Sequence, residues 1–279
     1  MGEGADTGDR SAQGVRLVLA FLFGVTLAAI PGRVSAKDCG DDVAGARVAC
    51  ACGDTVVSST RLLPSDPIFK GRCRRDGLFV QGAATAETIV LDLNGLSLVG
   101  SGGGIGVQVQ RGGSEGAAII GGRDGKRGEV VGFGVGLQAL TPNAIRRIEY
   151  VEIEGNRREG MLVRTAGTMV VDVRLARNGG DGARITGQGG RWLDIDAAEN
   201  GVAGIRMFTR DVVLRARASA NARNGIVTSG IHNDIRESIA EDNEGYGFLL
   251  GGTRQLTDGF VSTGNSLGDV AHRGVGVRQ

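Results

Sequence analysis

Two consecutive segments of the chain decide its fold: NRREGMLVRTAGTMVVDVRLAR at residues 156–177 and NGGDGARITGQGGRWLDIDAAE at residues 178–199. They align without a gap, and each opens with an asparagine that is followed four residues later by a glycine. The asparagine recurs with spacings of 22, 22, 21, 22 and 22 residues, at Asn156, Asn178, Asn200, Asn221, Asn243 and Asn265. Self-similarity at a fixed period of this length is typical of a solenoid, in which each unit stacks on its neighbours.

Each unit contains short stretches in which apolar residues alternate with other residues. One stretch follows the glycine, as in Met161/Val163, and another lies five and three residues before the next asparagine, as in Val173/Leu175. This period of two predicts β-strands with one buried face. A mostly apolar column lies eight residues before each asparagine, at Ile148, Val170, Trp192, Val213, Ile235 and Thr257. We therefore expect two or three strands per unit, with Trp192 in the core.

Stacked units of this kind predict an all-β parallel β-helix of about eight coils, spaced about 4.8 Å apart. The asparagine suits a left-handed turn, and its side chains can bond to one another along the axis. The glycine that follows would supply a positive φ or a close approach. The leucine-rich repeat is the alternative, but it needs an apolar residue two positions after the asparagine. Those positions are mostly not apolar, being Arg158, Gly180, Val202, Arg223, Gly245 and Leu267.

The first 36 residues predict a secretory signal peptide. Arg10 and Arg16 precede an apolar run at residues 17–30, and Val-Ser-Ala at residues 34–36 offers a cleavage site. The alternative is a membrane anchor, but a helix of this length rises only about 21 Å, against a hydrocarbon core of roughly 30 Å. We therefore predict cleavage, no stable membrane anchor afterwards, and a secreted or periplasmic location.

The four cysteines lie close behind this leader, at Cys39, Cys50, Cys52 and Cys73. An even number in an exported chain predicts two disulfides, in any of three connectivities. A zinc site is disfavoured because one residue separates Cys50 from Cys52, where structural zinc sites usually have at least two. We therefore expect a signal peptide at residues 1–36, a disulfide-stapled N-terminal cap at 37–75, β-helix repeats at 76–279, and no metal site.

Composition argues against several classes of protein. Glycine accounts for 50 of the 279 residues without the period of three of collagen, and a hydrophobic content of 41% is too high for a disordered chain. A net charge of +1 argues against a nucleic-acid partner. A Ser-His-Asp triad is not supported, because His232 and His272 look like surface residues and the Gly-x-Ser-x-Gly pattern at residues 112–116 precedes no helix.

Part of the sequence resembles a known family. CGDTV at residues 52–56, Cys73, DGL at residues 76–78 and LDLNG at residues 91–95 resemble the opening of exported bacterial right-handed parallel β-helix proteins. The Asn-x-x-x-Gly coils resemble the repeats of pectate-lyase-like and NosD-like proteins, over nearly all of residues 37–279. The resemblance implies a right-handed parallel β-helix. It does not select an activity, because the superfamily includes polysaccharide lyases, hydrolases, uronate epimerases and non-catalytic binding or surface proteins.

Positions six and four residues before each asparagine are predicted to point outward, and they carry charge. These charged columns resemble the active sites of lyases in the family. In those enzymes carboxylates hold calcium against a uronate, and an arginine removes a proton from the sugar. Inverting hydrolases instead use two carboxylates about 6.5–9.5 Å apart. The candidate catalytic residues are Asp172, Asp194, Asp196 and Arg215. We favour the alternative of a solvated sheet face, because charges of opposite sign alternate along it.

A candidate ligand-binding surface follows from arginines on three successive coils. Arg164, Arg184 and Arg206 occupy outward positions of the first strand, with Phe208 nearby and Tyr150 as an outward aromatic residue elsewhere. Guanidinium groups bind anionic sugars through charge-assisted hydrogen bonds. A solvated sheet face is the alternative for these residues too.

Together these observations predict an exported, monomeric protein that binds carbohydrate or acts as a surface scaffold, with polysaccharide as its partner and no cofactor. The alternative is a polysaccharide lyase or glycoside hydrolase that acts on an acidic polysaccharide through Asp172, Asp194 and Asp196, with Ca²⁺ as a cofactor of the lyase. A third hypothesis is a structural accessory module in metal-enzyme maturation, although the scarcity of His, Met and surface Cys argues against copper handling.

Overall fold

The computed structural model describes residues 36–81, 88–111 and 115–273. The predicted signal peptide, apart from its last residue, lies outside the described residues, and so does Ser114 of the Gly-x-Ser-x-Gly pattern. The described residues include no helix that is long and apolar enough to cross a membrane.

Apart from one short 3₁₀-helix, the regular secondary structure of the described residues consists of short strands, which are numbered in chain order. The first fourteen are β1 (Asp38–Val43), β2 (Ala46–Val48), β3 (Thr55–Val56), β4 (Thr60–Arg61), β5 (Leu78–Gln81), β6 (Val90–Asp92), β7 (Ser97–Val99), β8 (Ile105–Arg111), β9 (Ala117–Ile120), β10 (Gly128–Val131), β11 (Val135–Ala139), β12 (Ile145–Glu149), β13 (Val151–Glu154) and β14 (Met161–Ala166). The remainder are β15 (Met169–Ala176), β16 (Ala183–Gln188), β17 (Arg191–Ala198), β18 (Ile205–Met207), β19 (Val212–Leu214), β20 (Arg217–Ser219), β21 (Ile226–Thr228), β22 (Asp234–Arg236), β23 (Ile239–Glu241), β24 (Tyr246–Gly251), β25 (Leu256–Asp258), β26 (Val261–Thr263) and β27 (Gly268–Arg273). A short 3₁₀-helix, Pro67–Phe69, lies between β4 and β5.

The strands stack into three faces around one core. The first face has the order β2, β1, β3, β5, β8, β11, β14, β16, β18, β21, β24, β27. The second face contains β4, β6, β9, β12, the first parts of β15 and β17, β19, β22 and β25. The third face contains β7, β10, β13, the later parts of β15 and β17, β20, β23 and β26. All pairings are parallel except that of β1 with β2, which confirms the predicted parallel β-helix.

The number of coils is larger than the sequence suggested. The first face stacks eleven parallel strands, because β2 is the antiparallel member of its 12 strands, and this gives about ten turns. The prediction of about eight was too low because β1 and β3 of the cysteine-rich segment already pair in parallel with each other and with β5. Coil stacking therefore begins within residues 37–75.

Two disulfides fix this N-terminal region. Cys39 is bonded to Cys50 and Cys52 to Cys73, which selects one of the three connectivities that the sequence left open. All but Cys52 are buried in the core cluster, against which Cys52 packs. The antiparallel β2 covers the first edge of the first face, so that this edge does not present a parallel strand to solvent.

The core contains the residues that the apolar periodicity predicted. Trp192, Phe133 and Phe248 are its largest fully buried side chains. The column eight residues before each asparagine is buried throughout, from Ile148 to Thr257. Trp192 is therefore a core residue, as expected, and is not available as a platform for a sugar.

The repeated asparagines form a buried ladder along the corner between the third and first faces. Oδ1 of Asn200 accepts hydrogen bonds from both Nδ2 and the backbone N of Asn178, at 3.0 and 3.2 Å. Nδ2 of Asn200 donates to the Leu175 carbonyl at 2.9 Å. The pattern repeats from Asn156 to Asn265, which confirms the predicted bonding along the axis. At the end of the ladder, Nδ2 of Asn265 lies 3.2 Å from Oδ1 of Asp269.

The asparagine is not the left-handed residue of its corner, contrary to the prediction. The residue before it has the positive φ, as in Arg177 (53°), Glu199 (55°) and Asp242 (53°). These preceding side chains are exposed, while the asparagine side chain points inward to join the ladder. Separate residues therefore make the turn and satisfy the buried polar groups.

The glycines four residues after the asparagines serve close approach and have no positive φ. A Cβ on Gly182 would lie 2.6 Å from the Gly204 carbonyl oxygen and 2.8 Å from Nδ2 of Asn200. The same crowding is found at Gly160, Gly204, Gly225 and Gly247. Glycine is therefore required because the backbone of the next coil and the asparagine ladder occupy the space of a side chain.

The corner between the second and third faces is a single left-handed residue. This residue has a φ between 48° and 59° in successive coils, at Tyr150, Asp172, Asp194, Arg215, Glu237 and Gly259. The sequence pattern placed this column on an outward strand position. It lies instead at the bend where one face turns into the next, which is why these polar side chains point to solvent.

Candidate functional site

An open groove runs along the C-terminal half of the first face, beside the corner between the third and first faces. A cleft of about 380 Å³ is lined by Glu159, Asp181, Arg184, Arg206 and Phe208, among others. A second cleft of about 440 Å³ shares Arg206 and continues along the axis, where it is lined by Arg223, Glu244, Tyr246, Leu249 and Arg273, among others. We call these two clefts together the first-face groove.

Strand register brings two of the predicted arginines together. Arg184 on β16 pairs directly with Arg206 on β18, so that their outward side chains are one coil apart. The same outward column continues to Val227 and Leu249 on the next two coils. The apolar members of these strands point inward, which leaves the intervening arginines on the surface.

Arg206 is held in place by a buried carboxylate. Asp181 is 5% exposed, and its carboxylate accepts bonds from Nε and Nη2 of Arg206 at 2.9 and 3.2 Å. Oδ1 of Asp181 also accepts a hydrogen bond from the backbone N of Ala203 at 3.1 Å. A two-point contact of this kind fixes the guanidinium plane, and Nη1 is left over for a ligand.

Arg184 is less constrained than Arg206. Its side chain is 45% exposed, and its Nη1 lies 3.8 Å from Oε1 of Glu159. At this distance the pair is an ion pair without a hydrogen bond, so that a ligand can take the place of Glu159. The first cleft therefore contains one fixed and one available guanidinium.

Two aromatic rings contribute to the groove, and only one of them, Phe208, was a candidate from the sequence. Phe208 lines the first cleft and Tyr246 the second. Tyr246 lies three residues after its asparagine, the same offset as Glu159 and Asp181. This offset column lines the groove, and an alignment on the asparagines would have identified it.

Two predicted ligand-binding residues lie elsewhere. Arg164 pairs with Thr186, while Leu162 is the residue of β14 that pairs with Arg184. Arg164 is therefore two positions further along the strand, and it does not line the groove clefts. Tyr150 lies at the corner between the second and third faces, across the core from the first face.

The predicted catalytic carboxylates are all ion-paired. Asp194 accepts two hydrogen bonds from Arg215, at 2.7 and 2.8 Å, while Asp172 pairs with Arg127. Asp196 lies on the third face rather than at the bend, with its Oδ2 3.6 Å from Nε of Arg174. The three carboxylates therefore belong to two different columns.

The pairing of Asp194 with Arg215 moves the pKa of each group further from neutral pH, where acid–base catalysts are most effective. The hydrogen bond from Arg215 holds the pKa of Asp194 below its usual value, and the same bond raises the pKa of Arg215. A lowered carboxyl pKa disfavours a general acid, and a raised guanidinium pKa disfavours a general base. The shifts therefore argue against Asp194 as a general acid and against Arg215 as a general base.

No cluster of three or more His, Cys, Asp or Glu side chains in residues 36–81, 88–111 and 115–273 could hold a metal ion. The Ca²⁺ that the lyase alternative implies therefore has no ready-made set of protein ligands in this part of the chain. A uronate would have to complete such a site, and Ca²⁺ binding stays a prediction.

Comparison with known proteins identifies the family. Residues 136–277 match the family described as "Right handed beta helix region". No curated protein matches the sequence. Among solved structures, the Azotobacter vinelandii mannuronan C-5 epimerase AlgE4 A-module is 12% identical, with a TM-score of 0.34 over 82% of this chain and 89% of that one. The ORF18 protein of Geobacillus virus E2 is 8% identical, with a TM-score of 0.26 over 81% of this chain and 53% of that one. With half of its length matched by the family, and with parallel coils in the described residues, the chain belongs to the right-handed parallel β-helix proteins.

Proposed function

We propose that the protein binds an acidic polysaccharide in the first-face groove and does so without cleaving it. The observation that carries the proposal is the arginine pair in one strand register, with Arg206 fixed by Asp181 and Arg184 exposed beside it. Two guanidinium groups about 4.8 Å apart along the axis can bind anionic groups of one extended chain.

The remainder of the groove suits a sugar chain. Tyr246 and Phe208 supply aromatic surface, and Leu249 supplies an apolar floor in the outward column. Glycan rings present both hydroxyl groups and C–H faces, which such a mixture of charged and aromatic groups can contact.

Binding without catalysis is favoured because the candidate catalytic carboxylates, Asp172, Asp194 and Asp196, are each paired with an arginine. Two disulfides support an oxidising compartment, and we therefore propose a periplasmic or extracellular location. We also expect it to act as a monomer.

The test is calorimetric titration of the purified full chain with short polyuronate oligomers and with neutral oligomers of equal length. We expect binding of the polyuronate only, weakened at high salt because charge pairs are screened. Arg184→Ala should weaken the affinity roughly tenfold, since a hydrogen bond to a charged group is worth about 1.5–3 kcal/mol.

Arg164→Ala is the matched control, because it removes an exposed arginine from the same face outside the groove. It should leave the affinity unchanged. An equal loss in both variants, or binding of the neutral oligomer at the same affinity, would contradict the proposal.

A further inference from the structure

A second group of arginines lies on the same corner as the groove, nearer to the N-terminus. Arg74, Arg75, Arg157 and Arg158 are all exposed there. Although they are far apart in sequence, the coils bring them together. The guanidinium of Arg157 lies over Gly102 so closely that a Cβ there would be 2.7 Å from its Nε. We call these four residues the basic ridge.

The loop that contains Gly102 links the two arginine pairs. Oγ of Ser101 donates a hydrogen bond to the Arg74 carbonyl at 3.1 Å, and a Cβ on Gly104 would lie 2.4 Å from the carbonyl carbon of Arg75. The glycines of this loop allow the arginine backbones and side chains to approach one another.

The basic ridge continues directly into the wall of the groove. The backbone N of Arg158 donates to the Gly134 carbonyl at 2.9 Å, and the backbone N of Gly180 donates to the Arg158 carbonyl at 2.8 Å. The backbone N of Val202 donates to the Gly180 carbonyl at 3.1 Å, and the backbone N of Arg223 donates to the Val202 carbonyl at 2.9 Å. Gly180, Val202 and Arg223 line the groove, so one backbone stack joins the two surfaces.

Three of the four arginines of the ridge carry charge that no carboxylate in the described residues neutralises. Arg74, Arg75 and Arg157 form no ion pair within the described part of the chain, and Nε of Arg158 is 3.5 Å from Glu159. By contrast, the arginines of the bend and of the third face are paired with carboxylates on neighbouring coils. In a chain of net charge +1, this concentration of unpaired guanidinium groups favours a polyanionic partner.

We propose that the acidic polysaccharide held in the groove continues along this corner onto the basic ridge. This inference rests on the proposed function and adds a requirement for ligand length. The coils from Arg184 to Arg273 span about 19 Å, and those from Arg75 to Arg184 add about as much, at 4.8 Å per coil. The protein thus distinguishes an extended polyanion from a short acidic oligosaccharide.

The test uses size-fractionated polyuronate oligomers titrated into the full chain. Short oligomers cover the groove alone, and long oligomers reach about 38 Å, across groove and ridge. We expect wild type to bind the long oligomers at least tenfold more tightly than the short ones. The variant R74Q/R75Q/R157Q should bind short oligomers as wild type does and lose most of the additional affinity for long ones.

The matched control is R191Q/R210Q/R254Q, which removes three exposed arginines from elsewhere on the coils. It should retain the preference for long oligomers. Thermal unfolding of both triple variants shows whether they are folded, and folding is expected because all six side chains lie on the surface.

The outcomes separate the two proposals. If the ridge variant keeps the full length preference, or wild type has none, the ridge proposal is wrong while the groove stands. If short oligomers bind equally well to wild type and Arg184→Ala, the groove proposal is wrong. If Arg184→Ala leaves the affinity for long oligomers unchanged while R74Q/R75Q/R157Q lowers it, the ridge binds without the groove. The continuous path would then be wrong, and the ridge would be a separate site for polyanions.

Discussion

Asn200 and Asp196 lie four residues apart in the same coil, and each belongs to a column that repeats along the stack. Asn200 is 1% exposed and bonds to the asparagines of both neighbouring coils. The Asp196 side chain is 44% exposed and lies between Arg174 and Arg217 of the neighbouring coils in the same register. The two columns have the same period, and each residue faces partners one coil away on both sides, but the asparagine side chains point into the core and the Asp196 side chain points to solvent.

The comparison teaches that a repeating polar column does not by itself indicate a site. When a buried amide is removed, the buried groups that it bonded are left without a partner, and their desolvation is no longer offset by a hydrogen bond. On the surface, water replaces the lost partner. The asparagine column therefore maintains the fold, and the charged column mainly avoids repulsion between stacked like charges.

The largest effect is expected for Asn200→Ala. This change removes the acceptor of two buried donors of Asn178 and the donor to Leu175. We expect a loss of about 3 kcal/mol or more in the free energy of unfolding, because each unsatisfied buried group costs about 1–3 kcal/mol. Urea unfolding measures it, with Asp196→Ala as the control in the same coil. Equal losses in the two variants would remove the distinction between the columns.

Gly182→Ala should have the next largest effect. The new methyl group would meet the Gly204 carbonyl and the Asn200 amide, neither of which can move without disturbing the ladder. We expect a loss of about 1–3 kcal/mol from overpacking. Gly103→Ala is the control, since nothing lies within 4 Å of its Cβ position. A tolerated Gly182→Ala would mean that the coils can separate more easily than their hydrogen bonds suggest.

A smaller effect is expected from the charged column. Arg174 and Asp196 are 34% and 44% exposed, with 3.6 Å between Nε and Oδ2. In a double-mutant cycle of Arg174→Ala and Asp196→Ala, we expect a coupling energy below about 1 kcal/mol, falling further with salt. A larger, salt-insensitive coupling would show that this column contributes to the fold as the asparagines do.

The smallest effect is the pH dependence of the Asp194–Arg215 pair. The hydrogen bond lowers the pKa of Asp194, so that its contribution to stability is complete above the unfolded value of about 3.9. It is lost as the pH falls through the lower folded pKa. The stability difference between wild type and Asp194→Asn should therefore disappear in acid. A difference that grows on acidification would contradict this assignment.

Asp194→Asn also tests the catalytic alternative. The full chain would be incubated with polyuronates with and without Ca²⁺, and chromatography would look for shortened or unsaturated products. We expect none in either protein. Calcium-dependent products from wild type that Asp194→Asn no longer forms would establish a lyase that depends on Asp194.

Much of the fold could be predicted from the sequence because burial imposes a period on it. The asparagine spacing, the core position of Trp192 and the presence of two disulfides all follow from patterns within the chain. The disulfide pairing could not be predicted, since it depends on which cysteines the first coils bring together. The predicted coil number was wrong because residues 37–75 contain no asparagine to mark the repeat and β3 has only two residues.

The site was only partly predictable. Arg184 and Arg206 share an offset of six residues from their asparagines, whereas Arg164 has an offset of eight, and strand register follows the offset. The offset of Asp181 from its asparagine places it beside the groove, but its pairing with Arg206 could not be predicted, because the two residues lie on different coils. The basic ridge depends on a contact across Gly102 that joins distant parts of the chain.

The asparagine ladder also limits how the length of such a chain can change. Within the ladder, each asparagine bonds to asparagines of the adjacent coils, so the spacing between asparagines has to be kept. Residues can therefore be gained or lost as whole coils of about 22 residues, or at a corner outside the strand stacks. The single shorter interval follows this rule, since the offset is 22 between Arg184 and Arg206 and 21 between Gln188 and Thr209. Removal of residues 179–200 should therefore yield a folded protein one coil shorter, whereas removal of half as many should not. The length of the first face therefore changes only in steps of about 4.8 Å. The length of polymer that can bind along this face changes in the same steps.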